Sequence, residues 1–411
     1  MRLRRSCLAA FIVACALPVS VLAQQRPQSL ELLLPSPQFD EAPEVLRSRT
    51  VSLNEQSMQS LLFDESDRIA FTLFDDAQFT GVVDRRDEPM PDVPSWSGYL
   101  TERQGDFTLV IYEGDVFADI HVGDRLYEIR PADGINRLLI RELDTSRFQE
   151  CALTADSARR FRVQIPMVDL QAFCSSAPTA SPVTIDVLVL YTAAARATAG
   201  SKSKIEGIIV MAIDKTNQTY ANNRINARVR LVTGAGFNGM VEVVYTESGD
   251  VGTDLNRLTA PRDGFLDTAH SLRNTYRADA VSLIVERGDA AGVAWIMGSP
   301  TPSFASRAFS IVRRRYASAN LSFAHELGHN QGADHDTDNG GPGLCRYSSG
   351  YRFVHRGLTY RTVMAYLPGE RVKYFSDPNA RFAGTGPPTG DATHDNARTL
   401  RLTVPIVANF R

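Results

Sequence analysis

One stretch of this sequence decides the fold, Ser322-Phe323-Ala324-His325-Glu326-Leu327-Gly328-His329-Asn330-Gln331-Gly332-Ala333-Asp334-His335. His325 and His329 are four residues apart, so on a helix their imidazoles leave the same face one turn apart. Gly332 can adopt the positive φ that ends a helix abruptly, and such a turn lets His335 return as a third nitrogen ligand. Three imidazoles leave one tetrahedral position open, as at a catalytic zinc ion. The stretch therefore predicts a zinc site.

Glu326 stands directly after the first of these ligands. Its carboxylate can reach a water in the open position without binding the metal, which is the placement of a general base. The simpler explanation is a helix that carries ordinary core and surface histidines. A bare H-E-x-x-H pair would leave that explanation open, but the longer string also requires Gly332 and His335 at fixed spacings.

The complete string H-E-x-x-H-x-x-G-x-x-H resembles the zinc-binding signature of the metzincin metalloproteases. Its flanks, Gly328-His329-Asn330 and Asp334-His335-Asp336, are most similar to the reprolysin-like branch, and the chain is similar to bacterial peptidyl-Asp metalloendopeptidases. The resemblance covers Ser181 to Arg411. It implies an α/β (α+β) metzincin-like catalytic domain that hydrolyses peptide bonds, with one zinc ion as its cofactor and proteins or peptides as its substrates.

The segment Tyr360-Arg361-Thr362-Val363-Met364-Ala365-Tyr366 follows the third histidine. The resemblance implies that Met364 belongs to a methionine-bearing turn beneath the zinc; the alternative is an ordinary core methionine. Some metzincin branches carry a tyrosine two residues later, where it binds zinc in the free enzyme or hydrogen-bonds the developing oxyanion. Tyr366 matches that position, and its alternative is a packed ring.

Farther along, the segment Gly369 to Pro378 resembles the wall of the first primed pocket in related bacterial enzymes, including those that cleave before aspartate. Arg371 and Lys373 can supply the positive charge that an acidic substrate side chain needs when it is desolvated. This implies a preference for acidic residues after the scissile bond. The alternative is two solvated charges on a loop.

Composition places the chain among ordinary globular proteins. It has 411 residues, 43% of them hydrophobic and 22% charged, with a formal net charge of −3. The length favours two to three domains. With no basic block, nucleic acid is excluded as an expected partner, and nothing in the sequence specifies an oligomeric state.

Residues 1–23 are typical of a secretory signal peptide. Three arginines precede an apolar run from Cys7 to Leu17, and Val21-Leu22-Ala23 offers a small-residue cleavage site. Two alternatives are a lipoprotein box at Ile12-Val13-Ala14-Cys15 and an uncleaved anchor, although the apolar run is short for a membrane span. The protein is therefore expected to be secreted, to an extracellular or periplasmic location, with no stable membrane association.

The rest of the chain divides into four parts. Residues 24–67 are expected to be loosely ordered, with a short helix possible between Leu46 and Leu62. Residues 68–148 carry short alternating runs separated by turn signals, which predicts a small all-β unit built as an antiparallel sandwich or barrel, and the resemblance implies that this unit is a pro-domain. Residues 149–182 are a linker and processing region, and residues 183–411 form the catalytic domain.

Three cysteines remain after the signal peptide, namely Cys151, Cys174 and Cys345. The resemblance implies a pro-domain, and a cysteine thiolate can occupy the fourth zinc position to keep such an enzyme latent. Cys174 is the better placed for this role and Cys151 the second. The competing interpretation is a Cys151–Cys174 disulfide, which export favours. Either choice leaves Cys345 alone.

Together these features predict a secreted zinc metalloendopeptidase that is made as a proenzyme. The alternative is an exported zinc-binding adhesion or interaction protein with an inactive metalloprotease fold. Glu326 argues against that alternative, because a binding module has no use for a general base.

Overall fold

A computed structural model describes residues 28–30, 32–36, 42–53, 56, 59, 61–62, 66–152, 162–163, 169–178, 181–341 and 343–411. The expected signal peptide lies outside these residues. Within them, no helix is both long and apolar enough to cross a bilayer. The described chain forms two units, each built on its own sheet.

The N-terminal unit is one ten-stranded sheet. Its strands are β1 (Gln28–Leu30), β2 (Leu32–Ser36), β3 (Val45–Leu53), β4 (Arg68–Phe74), β5 (Ala77–Met90), β6 (Val93–Leu100), β7 (Gly105–Tyr112), β8 (Asp115–Val122), β9 (Arg125–Pro131) and β10 (Arg137–Asp144). Their order is β1-β4-β5-β6-β7-β8-β9-β10-β3-β2. Neighbours pair antiparallel except β1 and β4. The antiparallel pairing agrees with the sequence pattern, and the described strands form one continuous sheet, as in an open barrel, in place of two separate sheets.

The region before residue 68 corrects one expectation. The short helix between Leu46 and Leu62 is wrong over its first half, because β3 is a strand that pairs with β10. Val51 on β3 is 2% exposed within the apolar core of the N-terminal sheet. The described part of residues 24–67 therefore includes a paired strand and is not loosely ordered throughout.

The C-terminal unit carries the remaining strands. These are β11 (Arg162–Val163), β12 (Val183–Thr192), β13 (Ala227–Leu231), β14 (Met240–Val243), β15 (Ala280–Val285), β16 (Gly292–Ala294), β17 (Ile296–Met297), β18 (Phe309–Arg313), β19 (Arg352–His355), β20 (Leu358–Arg361) and β21 (Glu370–Arg371). The main sheet has the order β13-β12-β15-β18-β16, with β14 also paired to β12. All of its pairs are parallel except β16 with β18, so it is a twisted mixed sheet with β16 at one edge.

Seven helices in the described chain accompany these strands. They are α1 (Leu170–Ser175), α2 (Ala193–Ala199), α3 (Lys202–Asn222), α4 (Val251–Thr259), α5 (Asp267–Tyr276), α6 (Ser322–His329) and α7 (Asn396–Val407). Short 3-10 turns occupy Thr145–Arg147, Pro302–Arg307, Arg314–Tyr316 and Phe382–Gly384. The C-terminal unit is thus the mixed α/β domain that the strand and helix pattern predicts.

Helix α3 lies between the two sheets, and every residue from Ile205 to Tyr220 is buried. Its isoleucines share one apolar core with β12. Its polar side faces the N-terminal sheet, where Lys215 Nζ lies 2.8 Å from Asp119 Oδ2 and the Tyr112 hydroxyl donates to Glu206 Oε2 over 2.8 Å. The interface between the two units therefore contains charged pairs as well as apolar contacts.

Candidate active site

Helix α6 presents two of the three histidines. His325 and His329 lie on one face of the helix, and both are buried. His325 Nδ1 donates to the carbonyl of Val363 over 2.8 Å, and His329 Nδ1 donates to the carbonyl of Ala333 over 3.0 Å. These bonds fix both tautomers with a bare lone pair on Nε2, which is the form that a metal binds.

The chain turns back after α6 to bring in the third histidine. Gly332 has φ +86°, the left-handed conformation that favours glycine. The carbonyl of His335 accepts from the Ser349 hydroxyl over 3.0 Å and from the amide of Gly350 over 3.1 Å, which anchors the loop. His335 Nε2 then lies 3.1 Å from the Nε2 of His325 and 3.0 Å from that of His329.

The three imidazoles fit a divalent metal ion. Their Nε2 atoms are 3.0 to 3.2 Å apart, against about 3.3 Å for nitrogens around a tetrahedral zinc. Three lone pairs that converge in a buried place repel one another unless a cation lies between them. Burial, helped by His329 and Arg371, holds the pKa of His325 well below its usual range, which keeps the ring neutral as a ligand.

Cys151 completes this group. Its Sγ and one nitrogen from each of the three histidines all lie within 4.8 Å of one another. Cys151 belongs to the segment that leaves the N-terminal sheet, and this segment bonds to the edge of the catalytic sheet. The amide of Ala291 donates to the carbonyl of Glu150 over 2.8 Å, and the amide of Ala152 donates to the carbonyl of Gly292 over 2.9 Å. The thiol is thus held where a fourth ligand would bind.

Glu326 lies beside this fourth position. Its side chain is buried, and its Oε2 lies 3.7 Å from Cys151 Sγ. Burial raises the pKa of the Glu326 carboxyl to about 8, against the opposing effects of Cys151 and Arg371. A Cβ added to Gly292 on β16 would come within 2.6 Å of Glu326 Oε1, so the glycine makes room for this carboxylate.

The methionine-bearing segment packs under α6. Met364 is fully buried, and a Cβ added to Gly328 would lie 2.9 Å from its sulfur, so the helix and the turn approach closely. The preceding carbonyl, from Val363, is the one that holds His325. The segment that carries Met364 therefore fixes the orientation of the His325 ring.

Tyr366 lies on the other side of the same group. Its ring centroid is 4.3 Å from that of His335, and its hydroxyl donates to the carbonyl of Cys151 over 3.0 Å. Burial raises the pKa of the Tyr366 phenol well above its usual value, so the hydroxyl stays protonated and remains a donor. The tyrosine is thus a hydrogen-bond donor to a carbonyl beside the three histidines.

The cysteines correct two expectations. Cys174 on α1 forms a disulfide with Cys345, with a Cα–Cα distance of 5.7 Å. The Cys151–Cys174 disulfide and the unpaired Cys345 are therefore wrong, and Cys174 cannot serve as the thiolate ligand. Spacing does not decide among three cysteines, because the partners meet only after the C-terminal domain has folded.

The structure separates the two cations of the predicted substrate pocket. Arg371 Nη2 lies 2.7 Å from Glu150 Oε2, next to Cys151. Lys373 instead points to the N-terminal sheet, where its Nζ is 2.7 Å from Asp106. Arg361, which the sequence analysis did not single out, joins Arg371 on the same carboxylate. Neither cation is a solvated charge on a loop.

Comparison with known proteins places the chain in a family. The Reprolysin_5 family, described as metallo-peptidase family M12, matches residues 181–376. A peptidyl-Asp metalloendopeptidase from Stenotrophomonas maltophilia (strain K279a) is 34% identical over 318 residues, which cover 75% of this chain and 71% of that protein. Another from Xanthomonas campestris pv. campestris is 32% identical over 311 residues, which cover 74% and 69%.

Among solved structures, metalloproteinase-II from Bacteroides fragilis has a TM-score of 0.41 at 12% identity, and the match covers 69% of this chain and 86% of that one. The sequence relatives carry the assignment, and the histidine group with its adjacent glutamate fits it. The chain belongs to the M12 family of metallopeptidases and is a metalloendopeptidase.

Proposed function

We propose that this protein is a secreted, zinc-dependent metalloendopeptidase that is made as a latent proenzyme. The observation that supports this most is the convergence of three buried Nε2 atoms beside the buried carboxylate of Glu326. Secretion rests on residues 1–23, which have the pattern of a signal peptide.

The histidines and the glutamate have different roles in the proposed peptide hydrolysis. His325, His329 and His335 would hold the zinc ion, which when bound lowers the pKa of water and polarises the scissile carbonyl. Glu326 accepts a proton from the attacking water as the new C–O bond forms, and then passes that proton to the leaving amine as the C–N bond breaks. Its buried position beside the ligands keeps the carboxylate close to both the water and the amine.

The proposal is tested by measuring peptidase activity and metal content together. Purified, activated protein is expected to hydrolyse casein, to lose that activity in 1,10-phenanthroline, and to regain it when stoichiometric zinc is added after the chelator has been removed. The control is the same treatment without chelator. Hydrolysis that persists in protein shown by mass spectrometry to contain no metal would contradict the proposal.

Tyr366 is proposed to stabilise the oxyanion that develops from the scissile carbonyl, because its hydroxyl already donates to a carbonyl beside the ligands. Replacing Tyr366 with Phe is expected to lower kcat by about 10²-fold, since one donor to the oxyanion is lost. KM and zinc content should stay unchanged. A kcat equal to that of the wild type would assign the ring to packing alone.

Latency is proposed to come from Cys151. A thiolate is a strong zinc ligand, and the Cys151 sulfur lies with the three histidine nitrogens in the position that substrate or water needs. Residues 68–148 would act as the pro-domain that holds it there. Helix α3 contacts this unit partly through the pairs Lys215–Asp119 and Glu206–Tyr112. Such a polar interface suits a unit that is later removed, because the charged side chains of α3 can be hydrated when the unit leaves.

The disulfide limits how the inhibitory segment can leave. Cys174 ties α1 to the catalytic domain through Cys345, and the carbonyl of Cys174 also accepts from the Tyr347 hydroxyl over 2.8 Å. A cut between Cys151 and Cys174 therefore releases the thiol ligand and leaves α1 attached. We therefore place the proposed processing site between these two cysteines, within residues 149–182.

The substrates are proposed to be proteins and peptides that carry an acidic residue after the scissile bond. The relatives from Stenotrophomonas maltophilia and Xanthomonas campestris are peptidyl-Asp metalloendopeptidases. In this chain the buried guanidinium of Arg371 already binds a carboxylate one residue from the metal group. The edge strand β16, which bonds to the segment around Cys151, would take up the substrate backbone by strand addition.

A further inference from the structure

Two buried arginines bind one carboxylate, that of Glu150, which lies beside Cys151 and the three histidines. Arg361 Nη1 lies 2.7 Å from Glu150 Oε1, and Arg371 Nη2 lies 2.7 Å from Glu150 Oε2. The amide of Leu367 donates to Glu150 Oε1 over 3.2 Å. Arg361 is 1% exposed and Arg371 is 5% exposed. This is a fixed carboxylate-binding site, since each oxygen has its own cationic donor.

The catalytic domain holds the two arginines without help from Glu150. Arg361 Nε donates to the carbonyl of Gly369 over 2.8 Å, and Arg371 Nη1 donates to the carbonyl of Asn320 over 2.9 Å. Both guanidinium groups also donate to the carbonyl of Ala365, over 2.9 and 3.2 Å. The two residues face each other across the β20–β21 pair. Backbone carbonyls of the catalytic domain therefore hold both guanidinium groups in addition to Glu150.

Removal of the N-terminal segment would leave this pocket strongly positive. Two buried guanidinium groups without an anion are costly, because each has lost its hydration. The other carboxylate nearby, Glu370, is bonded to His121 Nδ1 over 2.7 Å and to the Thr145 hydroxyl over 2.6 Å, both in the N-terminal unit. In the described structure Glu150 is thus the carboxylate bound by both arginines, and another anionic ligand can take its place when the segment leaves.

The pocket lies beside the proposed zinc site, because its occupant is the neighbour in sequence of a proposed zinc ligand. Glu150 directly precedes Cys151, whose sulfur belongs to the histidine group, and successive Cα atoms are about 3.8 Å apart. Ala365, which holds both arginines, stands between Met364 and Tyr366 under and beside that group. A side chain next to the scissile bond would therefore reach the arginines.

We propose that Arg361 and Arg371, with the amide of Leu367, form the pocket that selects an acidic side chain immediately after the scissile bond, and that Glu150 occupies this pocket in the proenzyme. This inference rests on the proposed peptidase function. It replaces Lys373 by Arg361 in the substrate pocket, because Lys373 donates to Gln218 Oε1 on α3 over 2.9 Å, a bond within the catalytic domain, whereas Arg361 binds Glu150.

The order of residues explains why Glu150 inhibits and is not a substrate. In a substrate of the proposed kind, the chain passes the metal first and its acidic residue follows. In the inhibitory segment the acidic residue comes first and the metal-facing residue, Cys151, follows. The segment therefore fills both subsites with its backbone running in the opposite direction, so that no peptide bond is presented for cleavage as in a substrate.

The test compares peptides that differ only in the residue after the cut, which is Asp, Asn, Glu or Leu. The activated protein is expected to prefer Asp over its isostere Asn by about 10³-fold in kcat/KM, because Asn cannot satisfy two guanidinium groups. In Arg371→Met this preference should fall to within about tenfold, mainly through loss of Asp cleavage. In the control Lys373→Met the ratio should stay as in the wild type.

Three outcomes separate the claims. If Arg371→Met cleaves peptides with an unchanged Asp to Asn ratio, the pocket assignment is overturned. Wild-type protein that cleaves all four peptides equally overturns it too, but leaves the peptidase function standing. Wild-type protein that cleaves none of them overturns the peptidase function, and this inference with it.

A second variant keeps the pocket intact in case the arginine variants do not fold. Glu150→Gln alters only the occupant, whose side chain is 17% exposed. The uncleaved proenzyme of this variant is expected to be about tenfold more active than wild-type proenzyme, because an uncharged amide binds the two arginines less tightly. Activity equal to that of the wild-type proenzyme would overturn the role of Glu150.

Discussion

Replacing Glu326 with Gln is expected to lower kcat by about 10³- to 10⁴-fold while zinc content stays at the wild-type level. The amide has nearly the same shape as the carboxylate but cannot accept the proton of the attacking water. In the proposed mechanism the three converging imidazoles, and not Glu326, hold the metal, so the loss of this carboxylate should separate chemistry from metal binding. Steady-state kinetics on a peptide with Asp after the cut, beside metal analysis, measures both quantities.

The matched control is Glu242→Gln, which removes an exposed carboxylate from β14 that pairs with Arg196. Its kcat should equal that of the wild type, because a surface ion pair contributes little. If Glu326→Gln retained more than about a tenth of wild-type activity with full zinc, another residue would have to act as the base, and the mechanism proposed above would be wrong.

The second large effect is expected at Cys151. Replacing it with Ala should raise the activity of the uncleaved proenzyme by about 10²-fold, because the thiol no longer competes for the fourth position. Activation should stay incomplete, since Glu150 still holds the two arginines. The measurement is hydrolysis of the same peptide by protein shown by electrophoresis to be full length.

The double variant Cys174→Ser with Cys345→Ser is the comparison for Cys151→Ala. It removes the disulfide but leaves the thiol among the histidines, so the proenzyme should remain latent although less stable. If Cys151→Ala were as latent as the wild type, or if the disulfide variant were the active one, the assignment of Cys151 as the inhibitory ligand would fail.

The sequence predicts helix α6 and the turn after it well, because both depend on the spacing of nearby residues. His325 and His329 share a helix face by periodicity alone, and Gly332 provides the turn toward His335. Alternating runs identify β7 to β10 and β12 in the same way. Strand β5 is less visible, because the charged run Asp84-Arg85-Arg86-Asp87 hides its alternation. Helix α7 contains Pro405, which argues against a helix in a sequence.

What the sequence did not predict depends on contacts between distant parts of the chain. Arg361 and Glu150 are 211 residues apart, and no local pattern connects them. The one signal was that an acidic residue directly precedes Cys151. Cys174 and Cys345 are 171 residues apart, so their pairing depends on where α1 packs. Lys373 and Arg371 differ by two positions, yet they point to different units of the protein.

The most direct measurement of the central claim is X-ray absorption at the zinc edge on the purified proenzyme and on its activated form. The proenzyme is expected to contain one zinc ion with three nitrogen neighbours and one sulfur, from the three histidines and Cys151. Activation should remove the sulfur and keep the three nitrogens. A proenzyme without zinc, or with zinc that has no sulfur neighbour, would contradict this account.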